Sequence, residues 1–176
     1  MTGSNDMLDP AYLDDLPGRT TDDVRSMRAE CQAVETGLSY LRRVVQGRLD
    51  IVGAELGRRT GGGESGDLSG LIDRLPEILG DHLRAPGNGR LTSSLEPAEV
   101  DPELQRRLDE VVATYGLDAV TDVDDDALAA ARDELTALEQ DISVRRREMF
   151  DRIDQLQAEL TRRYKSGEAT VDSLLK

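Results

Sequence analysis

The sequence has no tryptophan, one phenylalanine, four tyrosines and one histidine among 176 residues. A compact globular core draws on more aromatic volume than that, so long helices packed by aliphatic side chains are expected instead. The single cysteine, Cys31, excludes an intrachain disulfide framework and is expected to be a buried structural thiol. One histidine, His82, and no cysteine pair give no basis for a zinc site. There is no secretory signal and no apolar run near about 18 residues, so the chain reads as soluble and cytoplasmic, with no membrane partner. Positive charge is in deficit: 22 Lys and Arg against 36 Asp and Glu, a formal net charge of -14. Such a surface repels nucleic acid in general, but it leaves room for a small anionic ligand held by locally clustered arginines. Phosphate-binding glycine loops and dinucleotide signatures are missing. So are a nucleophile–base–orienter set and a carboxylate cluster with metal-ligand spacing. Neither an enzyme nor a metal is expected.

What the sequence does contain is heptad patterning. Residues 1–19 are acidic, broken by Pro10, Pro17 and Gly18, and are expected to form a flexible tail whose Met7, Leu8, Tyr12, Leu13 and Leu16 offer docking points for a partner. A first long helix is expected over 20–60, capped by Thr20 or Thr21, with Asp22 and Asp23 suited to its first turn. Val24, Met27, Cys31, Val34, Leu38, Leu41 and Val45 alternate at steps of 3 and 4, the seam of a coiled coil. Arg48 then takes a seam position, and the seam resumes at Leu49, Val52 and Leu56. Gly37, Gly47 and Gly53 lie inside this helix, each costing about 0.5–1 kcal/mol relative to alanine, and can admit a bulky ligand or a close neighbour. A connecting region, 61–121, holds a glycine-rich loop at 60–66 and an amphipathic docking candidate at 67–82. A linker at 84–94 follows, then a short helix at 101–115 capped by Asp101, with Pro102 in its first position and Gly116 at its end. A second long helix is expected over 122–166, with seam residues Leu128, Ala131, Leu135, Leu138, Ile142, Met149, Ile153, Leu156 and Leu160, and with Arg145 and Arg152 in two seam positions. A C-terminal tail occupies 167–176.

The two long helices are copies of one another. At an offset of 104, residues 28–59 and 132–163 are identical at 14 of 32 positions. Within the first copy, Glu35, Ser39, Arg42, Gln46 and Asp50 follow one another at steps of 4, 3, 4 and 4, beside the seam. The second copy has Glu139, Ser143, Arg146, Phe150 and Asp154 at the equivalent places. The segment between the copies is long enough to return the chain, so the expected fold is all-α, an antiparallel coiled-coil hairpin of two long helices with short intervening helices. Antiparallel pairing of two copies has approximate two-fold symmetry and suits a symmetric ligand or a pair of identical ones. Arginine forks recognise phosphate or the guanine O6/N7 edge, and carboxylates accept the N1 and N2 hydrogens of guanine. Arg, Asp, Ser and Gln in one strip therefore suit a guanine nucleotide. Phe150 replaces an amide that makes hydrogen bonds; it either stacks on a base or fills an edge of the coil. An inert coiled-coil adaptor with a solvated charged face is the alternative reading of the whole strip.

The spacing E-x3-S-x2-R-x3-Q-x3-D, complete at Glu35, Ser39, Arg42, Gln46 and Asp50 and repeated except at Phe150, resembles the signature of the cyclic-di-GMP-responsive anti-sigma factors of actinomycetes. The resemblance implies a non-enzymatic protein that holds a dimer of cyclic di-GMP on its coiled coil. With nucleotide bound it would keep the sporulation sigma factor, of the flagellar-type class, from RNA polymerase and so repress late sporulation genes. It further implies guanine and phosphate contacts for Arg42, Arg146, Asp50 and Asp154. From charge alone, Glu35 and Glu139 are expected to orient arginines. Arg48, Arg145 and Arg152 on the seam are expected to keep the unliganded hairpin from closing well, until an anionic nucleotide compensates them.

Overall fold

The computed structural model describes residues 7–61 and 100–167. The expected docking segment at 67–82, the linker at 84–94 and the tail beyond residue 167 lie outside the described residues. Every regular element among the described residues is helical: α1 is Thr21–Thr60, α2 is Pro102–Tyr115 and α3 is Asp125–Ser166. Short 3-10 turns occupy Pro10–Leu13, Leu16–Gly18 and Leu117–Asp122. The protein is all-α.

Local chemistry sets the helix ends. Thr20 Oγ1 accepts from the Asp23 amide at 3.1 Å while the Asp23 carboxylate takes the Thr20 amide at 3.0 Å, a reciprocal cap at the start of α1. The Thr20 hydroxyl, donating to the Asp23 carboxylate at 2.6 Å, and then the Thr20 amide hold that carboxyl below its ordinary pKa. Asp124 caps α3 by accepting from the Ala127 amide at 2.8 Å. Gly116, with φ +63, ends α2 in the left-handed conformation that other residues adopt at a cost.

The described chain divides into two compact units. The first comprises 7–41, 100–101 and 141–167; the second comprises 42–61 and 102–140. In the first unit α1 and α3 run in opposite directions, since Arg25 meets Tyr164, Arg28 meets Gln157 and Arg146 meets Glu35. Val24, Met27, Cys31, Met149, Leu156 and Leu160 form its core, with Val34 and Ile153 packed against it. Each fully buried aliphatic side chain contributes about 1.5–3 kcal/mol.

That core corrects the expectation of a flexible N-terminal tail. Met7 is buried in it, and Leu8, Tyr12, Leu13 and Leu16 pack on it. The physical reason is that the 3-10 turns gather these side chains on one side of the segment, where the heptad seam still has apolar surface to cover. Arg163 ties the segment down, donating to the carbonyls of Leu16 at 2.6 Å and Arg19 at 2.8 Å. Arg163 is itself buried and paired at 2.7 Å with Glu159.

The second unit contains the corresponding device. Here too the helices run oppositely, as Arg42 meets Glu139 and Arg59 meets Asp125. Its buried residues include Val45, Val52, Leu128, Leu135 and Leu138, with Leu104, Leu108 and Val111 from one face of α2. Arg59 donates to the carbonyls of Val123 at 2.7 Å, Thr121 at 3.0 Å and Val120 at 3.3 Å, and pairs with Glu55 at 2.6 Å. Glu55, Arg59, Val120 and Val123 stand 104 residues from Glu159, Arg163, Leu16 and Arg19 respectively. The repeat therefore extends upstream of each long helix, into the turn that leads into it.

Each seam arginine has partners within the protein. Arg145 pairs with Asp141 in its own helix at 3.0 Å, Arg48 approaches Asp118 at 3.6 Å, and Arg152 donates to the Leu8 carbonyl at 2.5 Å. For Arg145 and Arg48 the long side chain carries the guanidinium from the seam to a carboxylate. Arg152 meets only backbone carbonyls, and its Nε is buried without a partner among the described residues.

Candidate functional site

The strip residues sit beside the buried seam because of their heptad positions, and their burial reflects this. Glu35, Ser39, Arg42, Gln46, Asp50, Glu139, Ser143 and Arg146 are half-buried, whereas Phe150 and Asp154 are exposed. Side chains in such a position keep part of their surface for solvent or a ligand while their stems pack against the coil.

In the first unit Arg146 donates through Nε to Glu35 Oε1 at 2.9 Å and to Ser39 Oγ at 2.7 Å. Ser39 in turn donates to Glu35 Oε1 at 2.6 Å. The Arg146 guanidinium carbon lies 4.8 Å from the centre of the Phe150 ring, a cation–π contact. Among the described residues Arg146 hydrogen-bonds through Nε alone, so both its terminal amino groups remain available. In the second unit Arg42 donates through Nε to Glu139 Oε1 at 2.8 Å, and the Gln46 amide donates to the same oxygen at 3.2 Å. Each motif copy thus contributes its glutamate to one pair and its arginine to the other, and each pair crosses between helices. Glu35 and Glu139 orient arginines.

Phe150 is 39% exposed and lies against Arg146. In the equivalent place Gln46 shares Glu139 with Arg42. In the first unit Ser39 donates to Glu35, and the Phe150 ring lies beside Arg146.

Asp154 lines a shallow surface concavity of about 530 Å³ with Gln157, Thr161, Arg162 and Lys165. Gly47, Gly53 and Gly57 have nothing within 4 Å of where a Cβ would stand, so no neighbouring part of the protein requires glycine there. Cys31 is fully buried, and burial pushes its thiol pKa up. Burial also raises the pKa of the neighbouring Tyr12 hydroxyl.

Among the described residues no group of three or more His, Cys, Asp and Glu side chains is placed to hold a metal ion, and no helix is long and apolar enough to cross a membrane. The model of the RsiG-like family matches residues 10–79 and 115–176, well over half of the chain and both copies of the strip. The protein belongs to the RsiG-like family. This is an anti-sigma factor family whose members are regulatory and non-catalytic, and the general role it gives the chain is that of an anti-sigma factor. The match begins at residue 10, so it takes in the 3-10 turns that the RsiG-like fold clasps with Arg163. No curated protein matches the chain.

The turns and their clasps are what reading the sequence missed. Glu55, Arg58 and Arg59 align with Glu159, Arg162 and Arg163, and that identity was the available signal. Their partners are backbone carbonyls, which place no demand on side-chain identity, so residues 16–19 and 120–123 show no likeness.

Proposed function

We propose that this RsiG-like protein is a cyclic-di-GMP-dependent anti-sigma factor. Its long helices form an antiparallel coiled-coil hairpin, and two cyclic di-GMP molecules bind through the two Glu–Arg clusters. The nucleotide-loaded form holds the sporulation sigma factor away from RNA polymerase, so late sporulation genes stay silent until cyclic di-GMP falls. One observation carries the reading most directly: the glutamate of each motif copy holds the arginine of the other by Nε. A guanidinium fixed in that way presents its outer edge in a set orientation, suited to the O6/N7 edge of guanine or to a phosphate. The donor set fits the ligand: Arg42 and Arg146 supply guanine-edge or phosphate contacts, Asp50 and Asp154 accept the guanine N1 and N2 hydrogens, and Ser39, Ser143 and Gln46 supply shorter polar contacts. Phe150 offers a planar face to a base.

Isothermal titration of cyclic di-GMP into the protein, with and without the sigma factor, tests this reading. About two nucleotides per chain, bound more tightly with sigma and lost in an Arg42→Ala, Asp50→Ala protein, is the expected result. Sigma binding indifferent to nucleotide would leave an anti-sigma factor without this control. Silence toward both would leave a structural coiled-coil adaptor.

A further inference from the structure

The strip continues toward the N-terminus of α1. Arg28 and Gln32 precede Glu35 and Ser39 at steps of 4, 3 and 4, so they lie on the same helical face. In the first unit they line a cleft of about 220 Å³ with Arg25 from α1 and Gln157, Leu160 and Tyr164 from α3. Leu160 is buried and forms its apolar floor. The polar lining consists of two guanidiniums, two carboxamides and a phenol, with no carboxylate, in a chain whose net charge is -14. Beside the cleft, Asp22 pairs with Arg25, and Asp154 shares a separate concavity with Gln157.

The donors are partly pre-positioned. Arg25 donates to the Tyr164 hydroxyl at 2.5 Å and lies over its ring at 5.8 Å. Arg28 donates through Nη1 to the Gln157 side-chain oxygen, and among the described residues its Nε and Nη2 hydrogens have no protein partner. The Gln32 amide likewise has no side-chain hydrogen bond there. A cleft of this volume is smaller than the roughly 300–1,000 Å³ of whole-ligand pockets, so it suits one group of a ligand. A group that accepts several charge-assisted hydrogen bonds from arginine forks at once is a phosphate. The other motif copy lacks the lining: Gly53 and Thr60 stand where Gln157 and Tyr164 stand, and Arg132, at the place of Arg28, pairs with Asp133.

We propose that the cleft lined by Arg25, Arg28, Gln32, Gln157 and Tyr164 is a phosphate-binding site, present once per chain, that takes either free phosphate or a phosphate group of a nucleotide seated on the Glu35 cluster. Only the second source rests on the function proposed above. The arginine Nε–H resonances of the full chain report on it, with the Arg28 signal assigned through Arg28→Gln. Inorganic phosphate is titrated at constant ionic strength against chloride, and cyclic di-GMP is titrated separately. A saturable shift of the Arg28 signal with phosphate but not chloride, weakened by Arg25→Gln and by Tyr164→Phe, establishes the free-ion source. It should survive in the Arg42→Ala, Asp50→Ala protein. Silence toward phosphate, with a shift on adding cyclic di-GMP and at least tenfold weaker nucleotide binding in Arg28→Gln at unchanged Tm, assigns the site to the nucleotide. An Arg28 signal that neither ligand moves, or that chloride moves as much as phosphate does, overturns the proposal. Phosphate binding in a protein that ignores cyclic di-GMP would sink the proposed function and leave this site standing.

Discussion

Glu35 accepts from Arg146 and Ser39 through one carboxylate oxygen, and Glu139 accepts from Arg42 and Gln46 through one of its own. Such half-exposed pairs add little to folding, about 0–1 kcal/mol each. Their consequence is orientation of the guanidinium rather than stability. Glu35→Gln and Glu139→Gln should therefore shift urea unfolding by no more than about 1 kcal/mol. Each should also weaken cyclic di-GMP binding at least tenfold, about 1.4 kcal/mol, measured by titration calorimetry. A loss of stability with unchanged affinity would show that the pairs serve the coil alone. Phe150 bears on the same point. Its ring supports Arg146 from an exposed position, so Phe150→Gln should leave stability within about 0.5 kcal/mol.

Helix ends and helix faces obey different constraints. At the ends, Arg59 and Arg163 bind carbonyls of the turn that leads into the opposite long helix, and each is paired to a glutamate one turn earlier. Arg163→Ala would remove charge-assisted hydrogen bonds to the part-buried carbonyls of Leu16 and Arg19 and should cost about 1.5–3 kcal/mol in urea unfolding, with no rescue by Arg163→Lys, which lacks the fork. Hydrogen bonds from Arg162 and then Arg163 bring the Glu159 pKa down to about 2, and those from Arg58 and Arg59 hold Glu55 below the ordinary range despite its burial. A carboxyl whose folded pKa is depressed stabilises the fold above its unfolded pKa, about 4.3. That stability drains away as pH falls through the folded value. Urea midpoints should accordingly fall between about pH 4.5 and about pH 2. Glu159→Gln should flatten that decline. On the helix face, Gly53 has open space around its missing Cβ. Gly53→Ala should raise stability by about 0.5–1 kcal/mol, and a simultaneous fall in nucleotide affinity would show that a ligand uses the space.

For the chain as a whole, Met7 to Leu16 pack with the first unit's core rather than forming an appendage. Met7, Leu8, Tyr12, Leu13 and Leu16 cover the end of the seam that contains Cys31. Because the Cys31 thiol is fully buried and its pKa is raised, it should react with a thiol reagent only through local opening. Deleting residues 1–16 should speed that labelling by an order of magnitude or more and lower amide protection around Val24–Cys31 and Met149–Leu160. Protection around Leu104–Val111, in the other unit, should hold. Uniform loss of protection would mean that the segment supports the whole fold and not one unit.

Heptad spacing alone located the long helices, since apolar residues at steps of 3 and 4 bury one stripe whatever partner supplies the facing surface. The Thr20–Asp23 cap, Pro102 and Gly116 marked ends because their preferences act within a turn of chain. The repeat and its strip were legible for the same reason: identity of side chains at fixed offsets needs no coordinates. The pairing of Glu35 with Arg146 and of Glu139 with Arg42 was decided by tertiary structure, because partners 111 and 97 residues apart carry no local signature. So were the partners of Arg48, Arg145 and Arg152, which depend on oxygens that happen to lie within reach of each side chain. The packing of Met7 to Leu16 was hidden by an acidic, proline-broken composition that reads as loose chain. What holds that segment is a set of apolar contacts and backbone carbonyls bound by Arg163, and backbone carbonyls are the same at every position of every sequence.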